Sequence, residues 1–167
     1  MTTLFDVTCA DLYDHSVAAF RRNTAILFNN EKYTYDELQK NAYSLANALS
    51  KMGLGKGDRV AFLAPNVPAL LEAHYAVPLA GAVLVPINIR LSSREVEFIV
   101  EHAEPKILFM DAQLTGLVES LSDRMKSIRI VTISDGPDNT KPAGKDYEAF
   151  LESGDDKPIE WSQDDEQ

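Results

Sequence analysis

The feature that most constrains this chain is an alternation of short apolar runs with longer segments that are apolar on one helical face. Ala25–Phe28 is a short apolar run closed by the turn pair Asn29-Asn30, and Lys32–Thr34 can return beside it as a second strand. Thr34 and Glu37 stand three apart in a capping-box pattern, and Leu38, Ala42, Leu45, Leu49 and Met52 then recur at steps of four and three, which predicts a helix ended by Gly53. Arg59–Ala64 reads as a compact strand stopped by Pro65. Asn66 is positioned to cap a second helix carrying Leu70, Leu71, His74 and Tyr75, with Pro78 kinking or ending it. Ala82–Pro86 predicts a buried strand, and Gly81 the turn leading into it. Ser92 and Glu95 form a second capping box ahead of Val96, Ile99, Val100 and Ala103. Pro105 ends that helix before the strand Lys106–Met110. Asp111 can then cap a helix with the face Leu114, Leu117, Val118 and Leu121, and Ile128–Ile133 supplies a last strand. Strands separated by helices of this length need crossover connections, so the predicted class is α/β with a mainly parallel sheet.

The pattern changes after Ile133. Ser134 to Asn139 is dense in turn formers, Tyr147–Leu151 has room for one helical turn, and Trp161 is the only large apolar residue near the end. Of 16 basic and 26 acidic residues in the whole chain, 3 basic and 11 acidic lie between Asp135 and Gln167, so most of the net charge of −10 sits there. The expected organisation is therefore an α/β subdomain over residues 1–134 and an acidic connector over 135–167. A near-neutral body with an acidic end gives no footing for a phosphate backbone, so nucleic acid is not an expected partner. The longest uncharged stretch, Ala73–Ile89, is shorter than the ~20 residues of a membrane span and is interrupted by Pro78, Gly81 and Pro86. It is instead the stretch expected to supply much of any apolar face left open to solvent. One cysteine, Cys9, excludes an internal disulfide framework and a multi-cysteine zinc site. With no basic-then-apolar leader, the expectation is a reduced, intracellular chain.

Local motifs for chemistry are weak. Gly53-Leu54-Gly55-Lys56-Gly57 has a phosphate-loop composition, but a phosphate cradle lies between a strand and a following helix. Here the order is helix, glycines, strand, so the glycines read as a helix cap and a tight return. His15, His74 and His102 share no metal spacing. His74 is expected to be a partly buried helix residue and His102 a solvated helix end. No serine lies in a Gly-x-Ser-x-Gly elbow, and Cys9 has no basic neighbour to stabilise a thiolate.

Longer blocks are more informative. Glu31-Lys32-Tyr33-Thr34-Tyr35-Asp36-Glu37-Leu38, then Gly53-Leu54-x-Lys56-Gly57-Asp58-Arg59-Val60-Ala61, resemble the opening of the adenylate-forming (AMP-binding) superfamily. So do Ala64-Pro65-Asn66-Val67-Pro68, the segment Glu72 to Pro78, and Ala80 to Asn88 with Arg90-Leu91. The wording of these blocks is most similar to acyl-CoA ligases that activate medium-chain or aromatic acids. The resemblance implies the N-terminal part of an enzyme that joins a carboxylic acid to ATP, releases pyrophosphate and passes the acyl group to CoA with loss of AMP. It also implies ATP, Mg and CoA as the family's cofactors, with the Ser/Thr/Gly-rich ATP loop and the catalytic lysine later in the chain than residue 167. No catalytic, cofactor-binding or metal-ligating residue is therefore assigned, and the segment is expected to be inactive alone. The expected partner is the remainder of such a ligase or a full-length homologue. A non-catalytic binding or decoy module and a gene remnant are the alternative expectations. The expected compartment is the cytoplasm or the peroxisome, although the sequence does not end in a peroxisomal tripeptide.

Overall fold

The computed structural model describes residues 9–119, 128–134 and 145–159. Helix α1 (Cys9–Phe20) leads into the antiparallel hairpin β1 (Thr24–Phe28) and β2 (Glu31–Thr34). The turn between the two strands places Asn29 and Asn30 at φ 48° and 66°, a left-handed conformation that asparagine tolerates. Helix α2 (Tyr35–Lys51) starts as its sequence predicts. The Thr34 side chain accepts from the Glu37 N–H at 3.2 Å, and the Glu37 carboxylate accepts from the Thr34 N–H at 2.7 Å. It ends in a Schellman motif, with Leu54 N–H donating to Leu49 O, Gly53 N–H donating to Ser50 O, and Gly53 at φ 81°.

The remaining elements are β3 (Arg59–Leu63), α3 (Pro68–Leu79), β4 (Val83–Pro86), α4 (Ser93–Ala103), β5 (Ile107–Asp111), a short 3₁₀ turn, α5 (Thr115–Glu119), β6 (Arg129–Ile133), β7 (Lys145–Asp146) and α6 (Tyr147–Leu151). The five strands β4-β3-β5-β6-β7 form one sheet, parallel at every pairing. The chain steps outward from β3 to β4 and then back across β3 to β5. Reversing direction while keeping one crossover hand obliges the connecting helix to change faces. Accordingly, α3 covers the sheet face carrying Val60, Phe62, Ile107 and Phe109, whereas Val96 and Val100 of α4 pack on the face carrying Ala61, Leu63, Leu108 and Met110. The first face holds the larger core and also receives α1, α2 and α6.

Three sequence expectations change. Ala82–Pro86 was predicted to hold a buried strand, but β4 is the sheet's edge and Val83 is 50% exposed. A run of apolar, β-branched residues shows that a strand forms, not where it stands in the strand order. Asn66 is not the cap of α3. Val67 takes that position with no side-chain hydrogen bond, and Pro68 opens the helix at a place where the missing N–H costs nothing. Helix α3 ends at Leu79, one residue past Pro78, as the sequence predicts. Finally, Ala73–Ile89 does not supply most of the exposed apolar surface: Ala73, Ala76, Val77 and Ile87 are buried, and of the exposed large apolar residues among the described residues, Phe20, Leu27, Leu71, Val83 and Phe98, it contains Val83 alone.

Residues 145–159 pack against the rest of the described fold. Strand β7 pairs with β6, and Tyr147, Phe150 and Leu151 of α6 enter the larger core. The predicted positions Leu121, Asp135 to Asn139 and Trp161 lie outside the described residues.

Candidate functional site

The glycine-rich return after α2 is built around its own anion. The Gly55 N–H donates to Asp58 Oδ2 at 3.0 Å, and Lys106 Nζ lies 2.9 Å from Asp58 Oδ1. These contacts, the lysine's first, hold the Asp58 carboxyl below the usual carboxylate range. Gly57 at φ 81° donates its N–H to Gly81 O at 3.3 Å, and Gly81 at φ 74° stacks against the Gly55–Lys56 backbone. The loop amide that a phosphate would need is thus already used by an internal carboxylate, which agrees with a cap and tight return.

The histidines stay apart in function. His74 Nδ1 sits 2.7 Å from the Leu70 carbonyl, and the side of α3 that carries it is exposed rather than partly buried as predicted. A carbonyl can only accept, so Nδ1 carries the proton and Nε2 faces outward. His102 is exposed at the end of α4, as its sequence position suggests, with its ring stacked on Phe98. Among the described residues, no three His, Cys, Asp or Glu side chains come together in a metal-binding group.

The sequence reading missed the main buried polar cluster. Glu72 is the sole charged residue of α3 and is only 3% exposed. Its Oε1 accepts from Asn41 Nδ2 of α2 at 2.8 Å, and its Oε2 accepts from the Tyr147 hydroxyl of α6 at 2.5 Å. One carboxylate therefore joins three helices. Tyr13 of α1 stacks on Tyr75 with ring centroids 4.0 Å apart, and its buried hydroxyl has no hydrogen-bond partner among the described residues. Burial pushes that hydroxyl's pKa up, as it does for Tyr43, which also donates to Asp14 at 2.7 Å. A lone acid in an otherwise uncharged helix was the available signal, because such a group survives burial only with donors around it. The cluster contains no nucleophile paired with a base, so its chemistry is that of a structural junction.

A shallow groove of about 300 Å³ runs between β1 and the N-terminal half of α3. Its walls include Leu27, Phe28, Val67, Leu70 and Leu71, and its polar groups are Asn66 and His74.

A five-stranded parallel sheet in this order, with helices on both faces, places the chain in the α/β class, and its relatives narrow the assignment. Residues 13–166 match the AMP-binding enzyme family, and the chain belongs to that family. It is 35% identical over 147 residues to a peroxisomal butyrate–CoA ligase of Arabidopsis thaliana, covering 83% of this chain and 26% of that protein. A peroxisomal benzoate–CoA ligase of the same plant is also 35% identical, with 83% and 25% covered. Among solved structures, an anthranilate CoA ligase superposes with a TM-score of 0.83 at 20% identity, covering 94% of this chain and 30% of that one. A putative long-chain-fatty-acid CoA ligase of Rhodopseudomonas palustris gives a TM-score of 0.75 at 28% identity, with 94% and 38% covered. The chain spans about a quarter of the length of the curated relatives it matches. No helix among the described residues is long and apolar enough to cross a membrane.

Proposed function

We propose that this segment is the N-terminal scaffold of an ATP-dependent acyl-CoA ligase of the medium-chain or aromatic acid-activating kind, and that it does not activate an acid by itself. The observation that carries the proposal is the family match along residues 13–166, set against coverage of only about a quarter of each curated relative. In such a ligase, ATP with Mg and then CoA supply the activating and accepting groups. The described residues do not fit the role of holding ATP: the one glycine-rich loop is closed on Asp58, and no carboxylate cluster stands ready for a cation. Activation of a carboxylate depends on groups preorganised around a polyphosphate, so the segment's contribution is shape and support for those groups. Two of its relatives are peroxisomal by name, which keeps the peroxisome beside the cytoplasm as the compartment of action.

The test is acid-dependent exchange of pyrophosphate into ATP, run on the purified 167-residue chain with butyrate and with benzoate. Exchange at the buffer level is expected with both acids. Exchange clearly above it would overturn the scaffold reading and require an active site within these residues.

A further inference from the structure

Helix α3 is apolar nearly all round, whereas a helix at a protein surface carries polar residues on its outer face. Its inner side is buried in the larger core, but Leu71 on the outer side is 37% exposed. Beside it, Leu27 on β1 is 68% exposed, and the two leucines are part of the groove's lining. No charged residue lines this groove. That lack of charge is a property of the centre of a permanent interface, since the rim and transient contacts are polar.

The course of the chain shows which side the following polypeptide starts from. Residues 153–157 run along α2, where Asn47 Nδ2 donates to the carbonyls of Asp155 and Lys157 at 2.8 and 2.9 Å and Lys51 Nζ donates to Ser153 O at 3.1 Å. Ile159 then packs against the larger core, the one on the α2 and α3 side. The described chain therefore leaves on the sheet face that carries the groove, and about three quarters of each curated relative's length lies outside the matched portion.

We propose that the groove between β1 and α3 is the seat of the ligase polypeptide that follows this segment, a permanent apolar contact within one enzyme. This rests on the scaffold reading above. The opposite sheet face offers a control: Phe98 of α4 is 69% exposed, yet it stacks on His102 of its own helix and lies outside the groove.

The experiment compares Leu27→Asp, Leu71→Asp and Phe98→Asp in two settings: the isolated chain, and a chimera in which this chain replaces the matched 147 residues of the Arabidopsis butyrate–CoA ligase. In the isolated chain the two groove variants are expected to shift the thermal midpoint by no more than about 3 °C, because Leu27 is mostly exposed and Leu71 already meets water on its outer side. In the chimera each is expected to lower it by about 5 °C or more, because a charge would then be trapped at an apolar contact, while Phe98→Asp changes neither. Groove variants that are silent in a folded chimera overturn the groove and leave the scaffold reading standing. A chimera that does not fold overturns the scaffold reading, and the groove with it. Sedimentation of the isolated chain as a dimer that either groove variant dissociates would assign the groove to a second copy and refute the proposal.

Discussion

Replacing Phe150 with alanine asks whether residues 145–159 belong to the folding unit. Phe150 is 1% exposed and meets Phe109 edge-on, with ring centroids 5.4 Å apart at 81°. The Arg129 guanidinium carbon lies over the same Phe150 ring, 5.8 Å from its centroid. Truncating a fully buried phenylalanine costs about 3–5 kcal/mol, combining lost transfer energy with the cavity left behind. The edge-to-face pair adds about 0.5–1.5 kcal/mol beyond area. The lower end of that range is the better guide here, because α6 is short and close to the described end, so the site can partly collapse. At roughly 2–4 °C per kcal/mol for a chain of this size, Phe150→Ala should lower the melting midpoint by about 6–12 °C. Circular dichroism melts against the wild type, with exposed Phe98→Ala as the control, measure it. A midpoint within about 2 °C of wild type would refute the reasoning and return residues 145–159 to the status of a detachable connector.

Three further outcomes are expected. Gly154→Ala should destabilise by about 1–3 kcal/mol, since its Cβ would lie 2.0 Å from the Ser44 carbonyl oxygen and backbone must move to admit it; urea unfolding midpoints measure this. Val83→Asp should cost less than about 1 kcal/mol at its half-exposed edge position, whereas Val60→Asp, at 0% exposure on the central strand β3, should prevent folding; soluble yield and melts separate them. Stability should hold down to about pH 4.5 and fall below it. Asp36, Glu37, Asp58 and Glu95 are all depressed from ordinary values of 3.8 or 4.5, so the folded state binds fewer protons than the unfolded chain as pH drops through the folded values. Melts between pH 6 and pH 3 check it, and a midpoint unchanged to pH 3 would contradict the capping and ion-pair geometry.

What the sequence made legible is what neighbours in the chain decide. The Thr34–Glu37 capping box, the Gly53 helix end, the Asn29-Asn30 turn and the Asp111 cap are all set within six residues, and each is in place. The glycine-rich return could be separated from a phosphate loop by element order alone. What stayed hidden depends on partners far along the chain. Whether Val83 is central or at the edge depends on the return of β5 to the other side of β3. The burial of Glu72 depends on Tyr147, 75 residues away. The need for glycine at position 154 arises only because α2 passes against it, and β7, two residues long, has no periodicity to read. Helix α1 went unread as well, and Cys9 is its first residue.

The grip of α2 on residues 153–157 has a consequence for biosynthesis. Asn47 is held to acceptors 108 and 110 residues later in the chain, and Glu72 to a hydroxyl 75 residues later. At about 5–20 residues per second, a ribosome needs roughly 5–20 s to deliver those partners after α2 has emerged. Throughout that interval the apolar side of α2 and the Glu72 carboxylate lack their last covering helix. The nascent chain thus has a fixed window in which it is open to holding factors or to mispairing, and the window closes when Tyr147 and Gly154 arrive.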